Sequence, residues 1–316
     1  MHSMKHALIL LLTLTSACLA AGSTGKVGTL SNPQRVNRLE ITKPGVYENI
    51  LVDAQGKGGN IVKIMADDVT LRNCEIFNGS GNGVGVFGTR VVIEYCRIHH
   101  LLAGTYEQQH DAHGITGRWG DVTIRHCDIS HISGDCVQFD PDRQSRGSLT
   151  IEHCHLWAGP LDADAPGFKA GQSPGENAFD SKTMPEGERC RLIIRHCHLH
   201  GWSQPSQIQN RAALNLKEHI EATITACVFD DNEIAIRVRG PGGRGNAHVT
   251  IEDCAIYRTQ TGVRAEDMIE NLKLLRTAWG EGVKERITFH GGKNPPGFQN
   301  TGETTAPPME KLLSKP

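Results

Sequence analysis

Two groups of side chains in the middle of this chain have the types and spacing for chemistry on an acidic sugar. The first is acidic: Asp135, Asp140, Glu176 and Asp180, with Asn177 among them. Hard oxygens gathered from several segments are what Ca²⁺ requires, so Ca²⁺ is the expected cofactor. The second is cationic and follows directly: Lys182, Lys217, Arg237, Arg239 and Arg264. A metal and cations neutralise the carboxylate of a uronic acid, which acidifies the neighbouring C–H. A base then removes that proton, and the glycosidic oxygen leaves from the β position. Lys217 and Lys182 are the candidate bases, because like charge at Arg237 and Arg239 lowers a lysine pKa toward the working range. Arg237 is a further catalytic candidate. His113, Gln138, Asn215, Arg239 and Arg264 are candidates for holding the substrate, and Arg211 is a second-line candidate for the chemistry.

These residues can meet only if a repeat brings them together, and the chain has one. Seven segments share a pattern: VTLRNCEI (69–76), VVIEYCRI (91–98), VTIRHCDI (122–129), LTIEHCHL (149–156), LIIRHCHL (192–199), ATITACVF (222–229) and VTIEDCAI (249–256). An eighth, LKLLRTAW (272–279), carries Thr277 at the Cys position. The cysteines are 22, 31, 27, 43, 30 and 27 residues apart. Each segment alternates β-branched residues, bends, and starts a second short run. No helix-length period intervenes. Three short strands and three turns need roughly 22 residues, the shortest spacing. The expected architecture is an all-β, right-handed parallel β-helix of about eight to ten coils; a β-sandwich would not repeat one sequence seven times.

A further strand follows each cysteine segment. Its copies align on an inward apolar residue: Val84, Ile115, Val137, Phe179, Leu214, Ile236 and Val263. Side chains alternate along a strand. The first outward column is therefore Gly85, Thr116, Gln138, Asp180, Asn215, Arg237, Arg264. The second is Phe87, Arg118, Asp140, Lys182, Lys217, Arg239, Glu266. Acids occupy the central coils and cations the coils after them. Long inserts (99–112, 157–175, 200–211) leave one corner of this strand, and others (141–148, 183–191, 240–248) leave the opposite one. Insertions on one face of a solenoid mark its binding face, so the strand is expected to floor a groove. Trp157, Phe168 and Trp202 could stack on a sugar ring there.

At these residues the chain resembles the family-nine polysaccharide lyases, and over about residues 45–290 the wider pectate-lyase-like superfamily. The similar stretch is Asp135 followed by Glu176-Asn177-Ala178-Phe179-Asp180. Glu176 and Asn177 stand where that family has aspartates, and its lysine falls on Asn215, two residues before Lys217. The resemblance implies a three-sided β-helix, an acidic Ca²⁺ site and a lysine base. Three functions stay open: a lyase or epimerase acting on uronates, a β-helix glycoside hydrolase using paired carboxylates such as Asp135 with Asp140 or Asp180, and a non-catalytic carbohydrate-binding or surface β-helix.

Seven of the ten cysteines occupy the repeated position, which suits an inward column of small soft side chains rather than a disulfide framework. Cys136 and Cys190 lie outside that column and could pair. The residues before the cysteines (Asn73, Tyr95, His126, His153, His196, Ala226, Asp253) are expected to form a stack of turn residues rather than a metal site. Gly is 35 of 316 residues and aromatics are 5%, as turn-rich β-structure demands. A net charge of −2 gives no footprint for nucleic acid. After residue 20 no apolar run reaches the ~18 residues of a membrane span. Met1–Ala20 has the Lys5 start, apolar run and small residues of a secretory signal, so a secreted or periplasmic monomer acting on an acidic polysaccharide is expected. Residues 21–44 are expected to cap the helix, 45–290 to form it, and 291–316 to be a flexible tail.

Overall fold

Each coil turns at the residue before its cysteine. The computed structural model describes residues 27–28, 30–140, 146–184, 186–241, 246–290 and 296–313, and the expected signal lies outside them. In all seven cysteine copies that turn residue is left-handed: φ is 47° at Asn73, 54° at Tyr95, 52° at His126, 53° at His153, 54° at His196, 52° at Ala226 and 52° at Asp253. This backbone region is tolerated by Asn, Asp and His and resisted by β-branched side chains. The slot therefore excludes the Val and Ile that fill the strands beside it. The turn swings the next side chain inward, and all seven column cysteines are at most 3% exposed. All nine described cysteines are free, Cys136 and Cys190 included. Cys136 immediately precedes the strand Val137–Asp140 of one face, and Cys190 opens the strand Cys190–Arg195 of another. At the corner itself the rings of Tyr95, His126, His153 and His196 stack with centroids 4.8, 5.0 and 4.8 Å apart, the expected stack of turn residues.

Three parallel faces result. One contains the runs before the cysteines, from Gly45–Glu48 to Gly297–Thr301, as ten strands in chain order. The first face after the cysteine contains Glu75–Gly79, Arg97–Leu101, Asp128–Ile132, His155–Trp157 and His198–His200. The second contains Val84–Val86, Ile115–Arg118, Val137–Asp140, Asn177–Ser181 and Ala212–Leu216. In Val228–Arg239 and Ala255–Glu266 one strand runs through both faces. The inward column Val84, Ile115, Val137, Phe179, Leu214, Ile236, Val263 is in register coil by coil as expected, and every member is fully buried. Fully burying each such side chain contributes roughly 1.5–3 kcal/mol. Stacking them pins the register, since a slip of one residue would turn the apolar column outward.

Both ends differ from expectation. Gln34–Val36 and Leu39–Ile41 pair parallel with Ile50–Asp53 and Val62–Ile64, so a coil already forms within the expected cap. The expected flexible tail holds the strand Gly297–Thr301, paired with Asn271–Leu275, and Phe298 packs on the core. The helix Met309–Leu313 follows, with Leu312 and Leu313 against Tyr257 and Ala278. The strand adds a rung beyond the last cysteine coil, and the helix lies along the outer side of the first face, on the column Val228, Ala255, Ala278.

The cysteine column carries a test of its own. Burial and neighbouring thiols push the pKa values of Cys96, Cys127 and Cys197 up, and the thiolate is the reactive form. The native protein should leave its nine described thiols unmodified by an alkylating agent, and denaturant should expose them all. Rapid labelling of Cys127 or Cys154 in the native state would refute the ladder.

Candidate functional site

The outward column of the second face is the floor of the site. Gly85, Thr116, Gln138, Asp180, Asn215, Arg237 and Arg264 face one another on consecutive coils, as the alignment predicts. Successive rungs stand about 4.8 Å apart. At its centre Lys217 reaches back one coil and places Nζ 3.0 Å from Asp180 Oδ1. The same oxygen accepts Asn215 Nδ2–H at 2.9 Å. Lys217 is fixed at its backbone too: its N–H donates to Ser181 Oγ at 2.8 Å, and Ser181 Oγ donates to Lys217 O at 2.9 Å. Lys182, the other candidate base, stands 3.9 Å from Asp140 on the more exposed edge of the floor.

Asp135 lies just before its strand and is 2% exposed. Its Oδ1 accepts Asn177 Nδ2–H at 2.7 Å. Its backbone N–H donates to His113 Nδ1 at 3.0 Å, so His113, when neutral, carries its ring proton on Nε2. Burial holds His113 below the usual histidine range. Burial also pushes the Asp135 carboxyl well up, helped by Asp180, Glu176 and Asp111. Glu176 rises by burial and the charge of Asp111, and Asp180 rises by burial despite its lysine. Asp111 belongs to this cluster and escaped the sequence reading. It sits in an insert with no repeat to index it; its one signal was standing two residues before His113 in an extended segment.

These carboxyls make stability pH-dependent. Asp135, Glu176 and Asp180 have folded pKa values above their unfolded ones, so the native state holds more protons between the two values. Stability therefore falls as pH rises from the ordinary carboxylate range through the raised values. Asp135→Asn keeps the acceptor for Asn177 and removes a charge. It should melt above wild type at neutral pH by about 2–4 °C, the shift for roughly 1 kcal/mol in a chain of this size, and the gap should close as pH falls toward about 4. Thermal melts across pH check this; a variant melting at or below wild type at neutral pH would contradict it.

The downstream arginines are not bare charges. Arg237 donates to Glu266 Oε2 from Nε at 3.0 Å and from Nη2 at 2.8 Å. Arg264 Nε lies 2.6 Å from Glu266 Oε1, and Arg239 Nε lies 3.0 Å from Asp267 Oδ2. Arg237, Arg264, Glu266, Asp267, Met268 and His290 line an open hollow of about 430 Å³ beside the Lys217 rung. Glu266 thus offsets the like charge that was expected to act on the lysines.

The inserts from the first corner pack on one another as a wall. Tyr106 N–H donates to Gly167 O at 2.9 Å, Gly175 N–H donates to Gln109 Oε1 at 2.9 Å, and Arg264 Nη1 donates to Asn210 Oδ1 at 2.8 Å, joining wall to floor. Phe168 and Trp202 are each 1% exposed, Trp202 within the main hydrophobic core, so neither can stack on a sugar. Trp157 lies on the first face among His131, His155 and His200. Arg211 is buried and donates to the carbonyls of Gly175, Ser203 and Pro174 at 3.0, 3.0 and 2.8 Å, which makes it a latch of the wall and not a base.

The donor set suits a hard divalent cation in chemistry but not in convergence, since among the described residues the oxygens of Asp135, Glu176 and Asp180 do not all lie within 4.8 Å of one another. Asp135, Glu176 and Asp180 are buried carboxyls raised by burial and by neighbouring acids, the condition a cation relieves. Asn177 places its amide N–H on Asp135. Asp140 sits at the Lys182 edge instead.

A family model described as "Right handed beta helix region" matches residues 59–200. The chain folds as a right-handed parallel β-helix. Among solved structures this β-helix is similar to an alginate lyase from Paenibacillus sp. str. FPU-7, at 13% identity and a TM-score of 0.50, covering 88% of this chain and 85% of that one. It is similar to the A-module of the mannuronan C-5 epimerase AlgE4 from Azotobacter vinelandii, at 11% identity and a TM-score of 0.54, covering 81% of this chain and 64% of that one. It is also similar to the pectate lyase Pel9A, at 13% identity and a TM-score of 0.50, covering 87% of this chain and 68% of that one. At these identities the likeness is one of fold. No curated protein sequence matches the chain. Among the described residues no helix is long and apolar enough to cross a membrane.

Proposed function

We propose that this β-helix is exported and cleaves an acidic, uronate-containing polysaccharide by β-elimination, with Lys217 as the base. The observation that carries the proposal is the Lys217–Asp180 pair, 3.0 Å apart, set between a buried acidic cluster and an arginine-lined hollow. A uronate polymer presents one carboxylate per acidic sugar, and Arg237 and Arg264 on consecutive rungs suit such spacing better than a neutral glycan. The fold neighbours are named for alginate, mannuronan and pectate.

Lys217 must release its own proton before it can take one from the sugar C5. In the metal-free chain its nearest acceptor is Asp180 Oδ1, whose proton affinity burial has raised; with that carboxylate claimed by a bound cation, the lysine proton would leave to solvent. The free amine then abstracts the C5 proton, and the electron pair forms the C4–C5 double bond as the C4–O bond breaks. His113 offers Nε2–H as a neutral donor near the acidic cluster, and Asn215 and Gln138 hold the sugar on the floor. Bound Ca²⁺, held by Asp135, Glu176 and Asp180, would supply charge neutralisation of the substrate carboxylate.

The test is to incubate the chain from Ala21 with pectate, alginate and glycosaminoglycans, with and without a chelator. Elimination produces unsaturated uronate ends with ultraviolet absorbance. Reducing ends without that absorbance would instead indicate hydrolysis, and binding without cleavage a carbohydrate-binding module. If the metal is used, Asp180→Asn should need more Ca²⁺ for the same rate.

A further inference from the structure

The first face of the helix carries a cluster of histidines that the elimination site does not use. Strands His155–Trp157 and His198–His200 pair with His155 opposite His198 and Trp157 opposite His200. One ring nitrogen from each of His155, His198 and His200 lies within 4.8 Å of the other two. His155 Nε2 and His200 Nε2 are only 2.7 Å apart. One coil back, Asp128 Oδ2 lies 2.9 Å from His155 Nδ1, and Asp128 Oδ1 accepts Trp157 Nε1–H at 3.2 Å. A carboxylate at Nδ1 holds the proton there and leaves the Nε2 lone pair of His155 facing its neighbours. His198 is 8% exposed, and its Nε2 has no hydrogen-bond partner. A buried ring nitrogen without a partner, stacked beside two further imidazoles, calls for a ligand.

We propose that His155, His198 and His200 form a binding site for a divalent transition metal, Zn²⁺ by ligand chemistry, with Asp128 as the carboxylate behind His155 and the fourth position open to solvent. Imidazole nitrogens suit Zn²⁺, and oxygen-seeking Ca²⁺ finds no oxygen ligand among the three. Zinc–nitrogen bonds of about 2.0–2.1 Å in a tetrahedron put ligand nitrogens roughly 3.3 Å apart. One pair stands 2.7 Å apart and all three nitrogens lie within 4.8 Å of one another, so the near-parallel rings must turn toward a common point to close the site. The carboxylate–histidine–metal chain is the usual outer arrangement of such centres, and Asp128 offsets part of the metal charge. Burial and neighbouring histidines hold His198 well below the usual range and push His200 down to about 3, so both are neutral ligands at physiological pH. His155 and His200 are partly exposed, which gives the ion a way in. The position has a consequence. Trp157 and His200 immediately precede the two inserts that wall the groove, so the ion would fasten adjacent coils at the roots of both loops.

The test uses the untagged chain, stripped with a chelator and titrated with Zn²⁺. One equivalent should bind, and the melting temperature should rise with Zn²⁺ concentration. Co²⁺ in its place should give the visible absorption of a tetrahedral nitrogen site. His198→Leu fills the space, removes the unpartnered nitrogen, and should abolish both the binding and the Zn²⁺-dependent rise in melting temperature. Should that variant fail to fold, Asp128→Asn keeps the shape and should weaken binding by about 10–100-fold. The proposal is overturned if the stripped wild type takes up no Zn²⁺, or if either variant binds it as tightly as wild type. It is equally overturned if His153→Ala is the change that removes binding, because the metal would then belong to the outward turn stack. None of these outcomes depends on whether a polysaccharide is cleaved.

Discussion

Lys217→Ala lowers turnover of the cleaved polymer by about 10²–10⁴-fold, the usual loss on removing a proton-transfer group, and leaves polysaccharide binding near wild type. The ammonium stands on Asp180 and contacts the floor at a single rung, while the arginines that suit the polymer's carboxylates occupy other rungs. The loss should therefore fall on kcat and spare KM. Removing the lysine also strips a buried carboxylate of its counter-charge, and Asp180 would respond by holding a proton at higher pH. Lys217→Arg separates the two roles. It keeps a cation beside Asp180, yet a guanidinium does not give up its proton at working pH, so this variant should fold like wild type and remain inactive. Near-full activity in Lys217→Ala with loss in Lys182→Ala would move the base to Lys182, at the Asp140 edge of the floor. Full activity in both would remove lysine from the mechanism and leave His113 as the base to test.

What the sequence disclosed follows the repeat. A period-two strand repeated once per coil assigns each outward residue a rung, which is why the series from Gly85 to Arg264 could be written down without coordinates and is met in register. The cysteine column is legible for the same reason. Residues off the repeat carry no such index. Asp111 sits in an insert, and only folding brings its charge onto Glu176 and Asp135. Phe168 and Trp202 looked like sugar platforms because an aromatic in an insert reads as exposed; the inserts pack on each other and bury them. Glu266 stood in the second outward column, but that it gathers Arg237 and Arg264 depends on side-chain reach across rungs. The last strand was hidden by its prolines and its polarity: the flanking Pro residues suggested disorder, while Gly297–Thr301 between them adds one more rung with Phe298 as its one core contact.

Arg211→Ala should cost about 3–5 kcal/mol and lower the melting temperature by about 10 °C. Its guanidinium is 1% exposed and answers three carbonyls: Gly175 and Pro174 from one insert and Ser203 from the next. Burial pushes its pKa down to about 10, with Tyr106, Glu233 and Asp231 opposing, so it stays charged at neutral pH. Alanine leaves three buried carbonyls without donors and a void the size of a long side chain. Those losses fall on the wall, because the inward columns of the coils are untouched. The inserts 157–175 and 200–211 should then become sensitive to protease while the coils stay resistant. Activity should fall as well, because Glu176 follows Gly175 directly and shares its anchor. Arg211→Lys should recover only part of the stability, since one ammonium cannot reproduce the planar fork that reaches both inserts. Thermal melts and limited proteolysis read both effects. A melting temperature within about 2 °C of wild type, a change worth less than ~1 kcal/mol, would show that the wall holds without its latch, and protected inserts would show the same.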